Sequence, residues 1–356
     1  MPLLLDRLKA QIAQLGPIGV ADYMEICLHD PAGGYYATRP ALGEDGDFIT
    51  APLVSQMFGE LIGLWAVAIW RQMGAPAPFV LAEAGPGDGT LMADLLRAAA
   101  VDPAFLDAAQ LWLVETSAPL RARQAQRLET FEIAWADSLD HLPAQPLVLV
   151  SNELLDCLPA RQFVRTPQGW AERRVGLSQD GEHLAFGLVP ALQGGLPADA
   201  PLGQVLEVST AQANFGAALG SRIARDGGAG LLIDYGRDEP GYGDTFQALS
   251  RHEKVDPLAD PGAADLTVHA DFPAVLAAAR ATGVETAIAT QGAWLNRMGL
   301  AQRAAALTAA RPDQAARIER QRARLADPDQ MGDLFKAACV YSPGLIPPGF
   351  EEGVRD

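Results

Sequence analysis

From Pro78 onward, short runs rich in Val, Leu, Ile, Phe and Trp alternate with stretches whose apolar residues recur at helical spacing. FVLAE precedes a helical stretch at Thr90 to Ala100, LWLVE precedes another at Ala118 to Leu128, and FEIAW and PLVLVSNE follow. Such alternation predicts a parallel sheet whose strands are joined by crossover helices. GLLIDYG supplies a further strand after an interruption, ETAIAT is another apolar run, and ACVYSP returns as a last strand. Helices are expected from about Phe272 and across Trp294 to Ala326. Within the interruption, RQFVRT, WAERRVGLS and HLAFGLV read as antiparallel strands turning at PQG and QDG, followed by the Gly/Pro-rich QGGLPADAPLG.

Ahead of the sheet, Leu3 to Leu15 and Val54 to Met73 carry helical periodicity, the second strongly apolar. Between them, HDPAGGYYATRPALGEDGDFITAP breaks helix and strand alike and reads as one long loop. Long loops inside compact proteins tend to carry function, and this one holds Asp47, Phe48 and Thr50 as candidates for a lid over a pocket. DEPGYGDTFQALSRHEKVDPLADPGAADLT reads as a second long loop. The expected organisation is an N-terminal helical and lid region at 1–75, a core made of 76–160 and 211–356, and a β-rich insertion at 161–210.

The length of 356 residues allows a core that needs no disulfide or metal staple. Lys and Arg number 27 against 44 Asp and Glu, a net charge of −17 that opposes general adhesion to nucleic acid or anionic membranes. The longest apolar run, Leu61 to Trp70, is far short of the roughly 18 to 20 residues that span a bilayer. The start, MPLLLDRLKAQI, is unlike a secretory or transit peptide, so the cytoplasm is the expected compartment and no membrane insertion is expected. Cys27, Cys157 and Cys339 show no CxxC spacing, which predicts buried free thiols and no metal centre.

The sharpest chemical signal is the strand Phe79 to Glu83 running into Gly85-Pro86-Gly87-Asp88-Gly89 and then a helix. Closely spaced glycines admit positive φ and let a ligand approach the backbone. A dinucleotide fingerprint is GxGxxG with a pyrophosphate on the helix N-terminus. Here the spacing is GxGxG, and Glu83 and Asp88 would repel a pyrophosphate and favour a cation. S-adenosylmethionine is such a ligand, with no phosphate and with a sulfonium and an ammonium. The next strand ends at Glu115, a candidate for the ribose hydroxyls, and the third ends at Asp137 and Ser138, candidates for the adenine.

GGYY at 33–36, GDFITAP at 46–52, SQMFGELIG at 55–63, GPGDGTLM at 85–92, NELLDCLPARQF at 152–163, LIDYG at 232–236, DTFQAL at 244–249, ADLTVHADF at 264–272 and PPGF at 347–350 stand in one order along the chain. In these segments the chain resembles the MidA-like methyltransferases, bacterial and mitochondrial relatives of the complex I assembly methyltransferase. The resemblance implies an α/β fold, a Rossmann-like seven-strand class I methyltransferase, with S-adenosyl-L-methionine as cofactor. It also implies arginine N-methylation of a protein substrate, a respiratory complex I subunit or a bacterial counterpart. The chain departs from the family pattern at Leu53, where an acid is usual, and at Asp88 in the turn.

Methyl transfer is an in-line displacement, so positioning and exclusion of water are the main tasks. A guanidinium is a poor nucleophile until carboxylates orient one nitrogen and localise charge on another. The fourth strand carries Asn152, Glu153 and Asp156 to the carboxyl edge of the sheet, where ligands of such folds bind. Glu153 is the candidate for gripping the guanidinium, Asp156 for a second carboxylate, and Asn152 for the methionine end of the cofactor. With Asp47 on the lid, these complete the candidate site. Two alternatives stay open: an assembly factor that holds a client without modifying it, and an NAD-dependent oxidoreductase resting on the glycine turn and Glu115. Oligomeric state is not legible in the sequence.

Overall fold

The computed structural model describes residues 3–38, 50–192, 194–250 and 253–350. They fall into two compact units, one within Ile49–Leu154, Ala213–Asp238 and Phe272–Asp356, the other within Met1–Phe48, Leu155–Gln212 and Glu239–Asp271.

The first unit is built on seven strands: β1 (Phe79–Ala84), β2 (Ala109–Val114), β3 (Ile133–Ala136), β4 (Leu147–Asn152), β5 (Gly228–Arg237), β6 (Glu285–Thr290) and β7 (Phe335–Tyr341). Their spatial order is β3-β2-β1-β4-β5-β7-β6. Pairing is parallel from β3 to β5, and β7 runs antiparallel to both β5 and β6. This is the strand order of class I methyltransferases, as the resemblance implied. Every residue of β1 and β4 is buried, as a sheet covered on both faces requires, whereas edge strand β3 is half-exposed. The chain leaves β1 toward β2 on one side, and β4 lies on the other side of β1. That reversal is a topological switch point, the place where open α/β sheets bind ligands beyond their carboxyl ends.

Helix Gln56–Gln72 also belongs to this unit. It starts at Ser55, whose hydroxyl accepts from the Met57 N–H at 3.3 Å. Its apolar residues point almost all round, and such a helix has to be buried. Met57, Phe58, Ile62, Trp65 and Ile69 join one core with Phe79, Leu95, Phe105, Leu113, Val148, Leu231 and Trp294. The Phe105 ring stands edge-on to Trp70 at 5.5 Å and lies 5.1 Å from Phe79. The helix therefore belongs to the sheet unit, whereas the sequence pattern grouped it with an N-terminal region at 1–75.

The second unit carries a five-stranded antiparallel sheet, Arg161–Thr166, Gly169–Leu177 and Leu184–Pro190 with Ile18–Gly19 and Val205–Val208. The first three are the strands expected from the sequence. A separate three-stranded sheet joins Gln247–Ser250, Glu253–Val255 and Asp265–Thr267, inside the segment read as a loop. Helices Leu4–Leu15 and Val20–His29 complete this unit, with Leu8, Tyr23, Met24, Leu28, Tyr35, Val175 and Leu266 in its core. Tyr35 is a core residue at 1 % exposure.

One joint in the sheet unit leaves no room for a side chain. Gly228 has φ +136°, and a Cβ on it would lie 1.9 Å from the Leu147 carbonyl oxygen on β4. It lets the chain turn from helix Thr210–Asp226 directly into β5 beside β4. Gly228→Ala is expected to destabilise the fold by about 3 kcal/mol or more, read as a lowered midpoint of urea unfolding.

Candidate active site

The turn after β1 shows why three glycines are needed. Gly85, Gly87 and Gly89 have φ of +68°, +53° and +83°, a region that side chains with a Cβ rarely adopt. Gly89 then caps helix Thr90–Ala99. Asp88 does not project into the turn as an added negative charge for a ligand, as its place in the sequence suggested. Its Oδ1 accepts from the Thr90 N–H and hydroxyl at 3.0 and 2.7 Å, and its Oδ2 accepts from Arg127 at 2.7 Å. The helix N-terminus that would serve a pyrophosphate is thus already engaged by a carboxylate.

Glu83 is compensated on one side only, by a hydrogen bond from the Met92 backbone N–H. It is 2 % exposed, and its Oε2 has no hydrogen-bond partner among the described residues. Burial, with Asp88 nearby as a second contribution, raises its carboxyl from 4.5 to about 8. On the adjacent strand, Asn152 at the end of β4 is also buried, and its Oδ1 likewise lacks a partner among the described residues. Its Nδ2 donates to Glu153 Oε1 at 3.0 Å.

Glu153 has φ +51°, a left-handed conformation costing a residue with a Cβ about 1 kcal/mol. The turn is held all the same. The Glu153 N–H donates to the Ile233 carbonyl on β5 at 2.9 Å, and its Oε1 accepts from the Ala51 N–H at 3.3 Å as well as from Asn152. Ala51 opens the short helix Ala51–Val54, for which Thr50 is the N-cap position. Thr50 and Glu153, far apart in sequence, are thereby brought together.

At the end of β2, Glu115 Oε1 accepts from the Ser117 N–H at 2.7 Å, and burial raises its carboxyl above the usual range. Asp137, past β3, is paired with Arg121 at 2.5 Å with its side chain 65 % exposed. Arg121 also donates to the Glu115 carbonyl. Ser138 precedes the short turn Leu139–His141 and makes no capping bond there.

Of the candidates read from the sequence, Thr50, Gly85, Pro86, Gly87, Glu115, Asp137, Ser138, Asn152 and Glu153 all lie in the sheet unit, at or next to the carboxyl ends of β1 to β4. Asp156 falls in the other unit, where it is buried and its carbonyl accepts from the Val268 N–H at 2.9 Å. Asp47 and Phe48 lie outside the described residues. A residue the sequence reading missed is Gln124, fully buried on helix Ala118–Arg127 and in contact with both the glycine turn and Glu115. Its signal was a polar residue in the stripe Leu120, Gln124, Leu128, all three of which are buried.

The donor set fits S-adenosylmethionine. Two buried acceptors without partners, Glu83 Oε2 and Asn152 Oδ1, suit a cationic amino-acid end, and the carboxylate one strand over suits a diol. Among the described residues, no group of three or more His, Cys, Asp or Glu stands ready to hold a metal, and no helix is long and apolar enough to cross a membrane. The thiols are buried, with Cys27 pushed up to about 12 by burial.

Strand order, switch-point turn and unpartnered acceptors define a class I S-adenosylmethionine-dependent methyltransferase. Residues 61–290 match a family model described as "Putative S-adenosyl-L-methionine-dependent methyltransferase". The chain is 35 % identical over 381 residues to a Drosophila melanogaster protein named protein arginine methyltransferase NDUFAF7 homolog, mitochondrial, covering 96 % of this chain and 85 % of that one. The Rattus norvegicus protein named protein arginine methyltransferase NDUFAF7, mitochondrial, is 32 % identical, with 98 % and 91 % covered. Among solved structures, a COG1565 superfamily member from Burkholderia thailandensis bound to S-adenosyl-homocysteine superposes with a TM-score of 0.86 at 27 % identity, over 98 % of this chain and 95 % of that one. The chain belongs to this MidA-like family of S-adenosylmethionine-dependent methyltransferases. Its named relatives are mitochondrial, so they lend no support to the cytoplasmic expectation.

Two outcomes follow from this geometry. Glu83 has a folded-state pKa near 8 against 4.5 for the free carboxyl, so the folded state holds its proton longer and loses stability as pH rises between those values. Glu83→Gln removes that loss: its stability advantage over the wild type, on the order of a few kcal/mol, grows from pH 5 to pH 8 in urea titrations without ligand. Gly87→Val forces a β-branched residue into φ +53° and is expected to weaken S-adenosylhomocysteine binding by about a hundredfold or more in calorimetry.

Proposed function

We propose that the chain methylates an arginine side chain of a protein substrate, with Glu153 as the residue that grips the guanidinium. The observation that carries this is Glu153 itself, a carboxylate in a left-handed turn at the switch-point edge, held by the Ala51 N–H and the Asn152 amide. Strain retained at a strand end beside a cofactor turn marks function more often than accident. The names of the curated relatives, protein arginine methyltransferases, support arginine as the side chain that is methylated. The family resemblance extends the proposal to a respiratory complex I subunit or its bacterial counterpart as the substrate.

When bound, S-adenosylmethionine supplies a methyl group on a sulfonium, open to in-line attack. The residues of the chain do the rest. The glycine turn admits the cofactor close to the backbone, and Glu83 and Asn152 accept from its amino-acid end. Glu115 takes the ribose hydroxyls, while Asp137 and Ser138 stand at the strand end assigned to the adenine. The Glu153 carboxylate orients one guanidinium nitrogen toward the methyl group and concentrates positive charge on another, through charge-assisted hydrogen bonds. Asp156, three positions on along the chain, is the second carboxylate of this proposal.

Methyl-tritiated cofactor added to a lysate of a deletion strain, with purified enzyme, is expected to label one protein on arginine. Glu153→Gln should lower that labelling rate by about a hundredfold or more while S-adenosylhomocysteine affinity stays within about threefold. Asp156→Asn in the same assay tests the second carboxylate. Labelling on a residue other than arginine would overturn the proposal. Full rescue of the deletion phenotype by Glu153→Gln would favour the client-holding alternative.

A further inference from the structure

The residues assigned to the cofactor above lie at or next to strand ends, and one helix hydrogen-bonds two of them. Helix Ala118–Arg127 begins at Ser117, whose hydroxyl accepts from the Leu120 N–H. Its inward face is apolar at Leu120 and Leu128 and polar at Gln124, which is 0 % exposed. A buried carboxamide has to be satisfied on both ends, and this one is. Gln124 Nε2 donates to the Gly87 carbonyl at 2.7 Å and to Glu115 Oε2 at 3.3 Å, and Oε1 accepts from Trp135 Nε1 at 2.8 Å.

The orientation of the amide follows from donor and acceptor types. An indole N–H only donates, so it can face only the amide oxygen. The two amide hydrogens then have to point at two acceptors, the Gly87 carbonyl in the turn and the carboxylate at the end of β2. Trp135 on β3 therefore fixes a link between the ends of β1 and β2. Glu115 is held from its other oxygen by the Ser117 N–H, so its carboxylate plane is set from two sides.

We propose that Gln124 is a positioning residue for cofactor recognition: its carboxamide, locked by Trp135, sets the Glu115 carboxylate against the glycine turn so that both ribose hydroxyls are recognised. The proposal rests on the assignment of Glu115 to the ribose. Gln124→Glu keeps the shape but turns a donor into a carboxylate facing another carboxylate and a carbonyl, which displaces Glu115.

The test compares S-adenosylhomocysteine with its 2′-deoxyadenosyl analogue by calorimetry on the full chain. Wild-type protein is expected to prefer the ribose form by about tenfold or more. In Gln124→Glu and in Gln124→Met that preference should fall to about twofold or less, and neither should change it further when combined with Glu115→Gln. Gln124→Met fills the same space without the amide, so it carries the comparison should Gln124→Glu not fold. A general loosening of the site weakens both ligands equally and leaves their ratio intact, and that result overturns the proposal. A wild type that binds both ligands equally removes the ribose role of Glu115 and overturns the proposal at its premise. A wild type that binds neither contradicts the cofactor assignment itself.

Discussion

A buried carboxylate with one oxygen left unpartnered is the constraint on which the rest of the site depends. Glu83 lies in a strand that is covered on both faces, two residues before the first of three left-handed glycines. Leaving a buried charge unpaired is costly, and the folded chain meets that cost by keeping the proton. Such an arrangement is poor design for stability and good design for a ligand that brings its own positive charge. Asn152 repeats the pattern on the adjacent strand with an acceptor oxygen that finds nothing to accept from among the described residues. Both sit at the one place in the sheet where the order of strands reverses, so the topology creates the crevice and the unpartnered acceptors set its preference for a cation.

The surrounding groups show the opposite economy. Asp88 caps its helix and pairs with Arg127, and Asp137 pairs with Arg121. Gln124 has all three of its contacts filled. Satisfied polar groups make a frame, and unsatisfied ones within that frame mark where a ligand completes the structure. Glu153 belongs between the two kinds. Its carboxylate is held by two donors of its own unit, and its backbone is held in a conformation that an unconstrained glutamate would leave.

Much of the sheet unit was legible in the sequence because its signals are local. β1 and β4 are continuous apolar runs, the glycine turn is punctuation that few other structures need, and acids at successive strand ends follow the register of the sheet. What escaped depended on partners far along the chain. Val205–Val208, Gln247–Ser250 and Asp265–Thr267 are short strands among Gly, Pro and Asp, and they exist because each finds an antiparallel neighbour. Helix Gln56–Gln72 looked like part of the N-terminal region by position, but its all-round apolar surface assigns it to the sheet. Asp88 was misread for the same reason, since the arginine that neutralises it lies 39 positions away. Gln124 was invisible because one polar residue in a helical stripe looks like solvated surface until the indole and the carboxylate on either side of it are placed.

The measurement that bears most directly on this account is a crystal structure of the protein soaked with S-adenosylhomocysteine. The ribose diol is expected on the Glu115 carboxylate, and the amino-acid end within hydrogen-bond reach of Glu83 and Asn152. A nucleoside bound elsewhere, or a turn that closes Glu83 and Asn152 onto side chains of the protein itself, would contradict it.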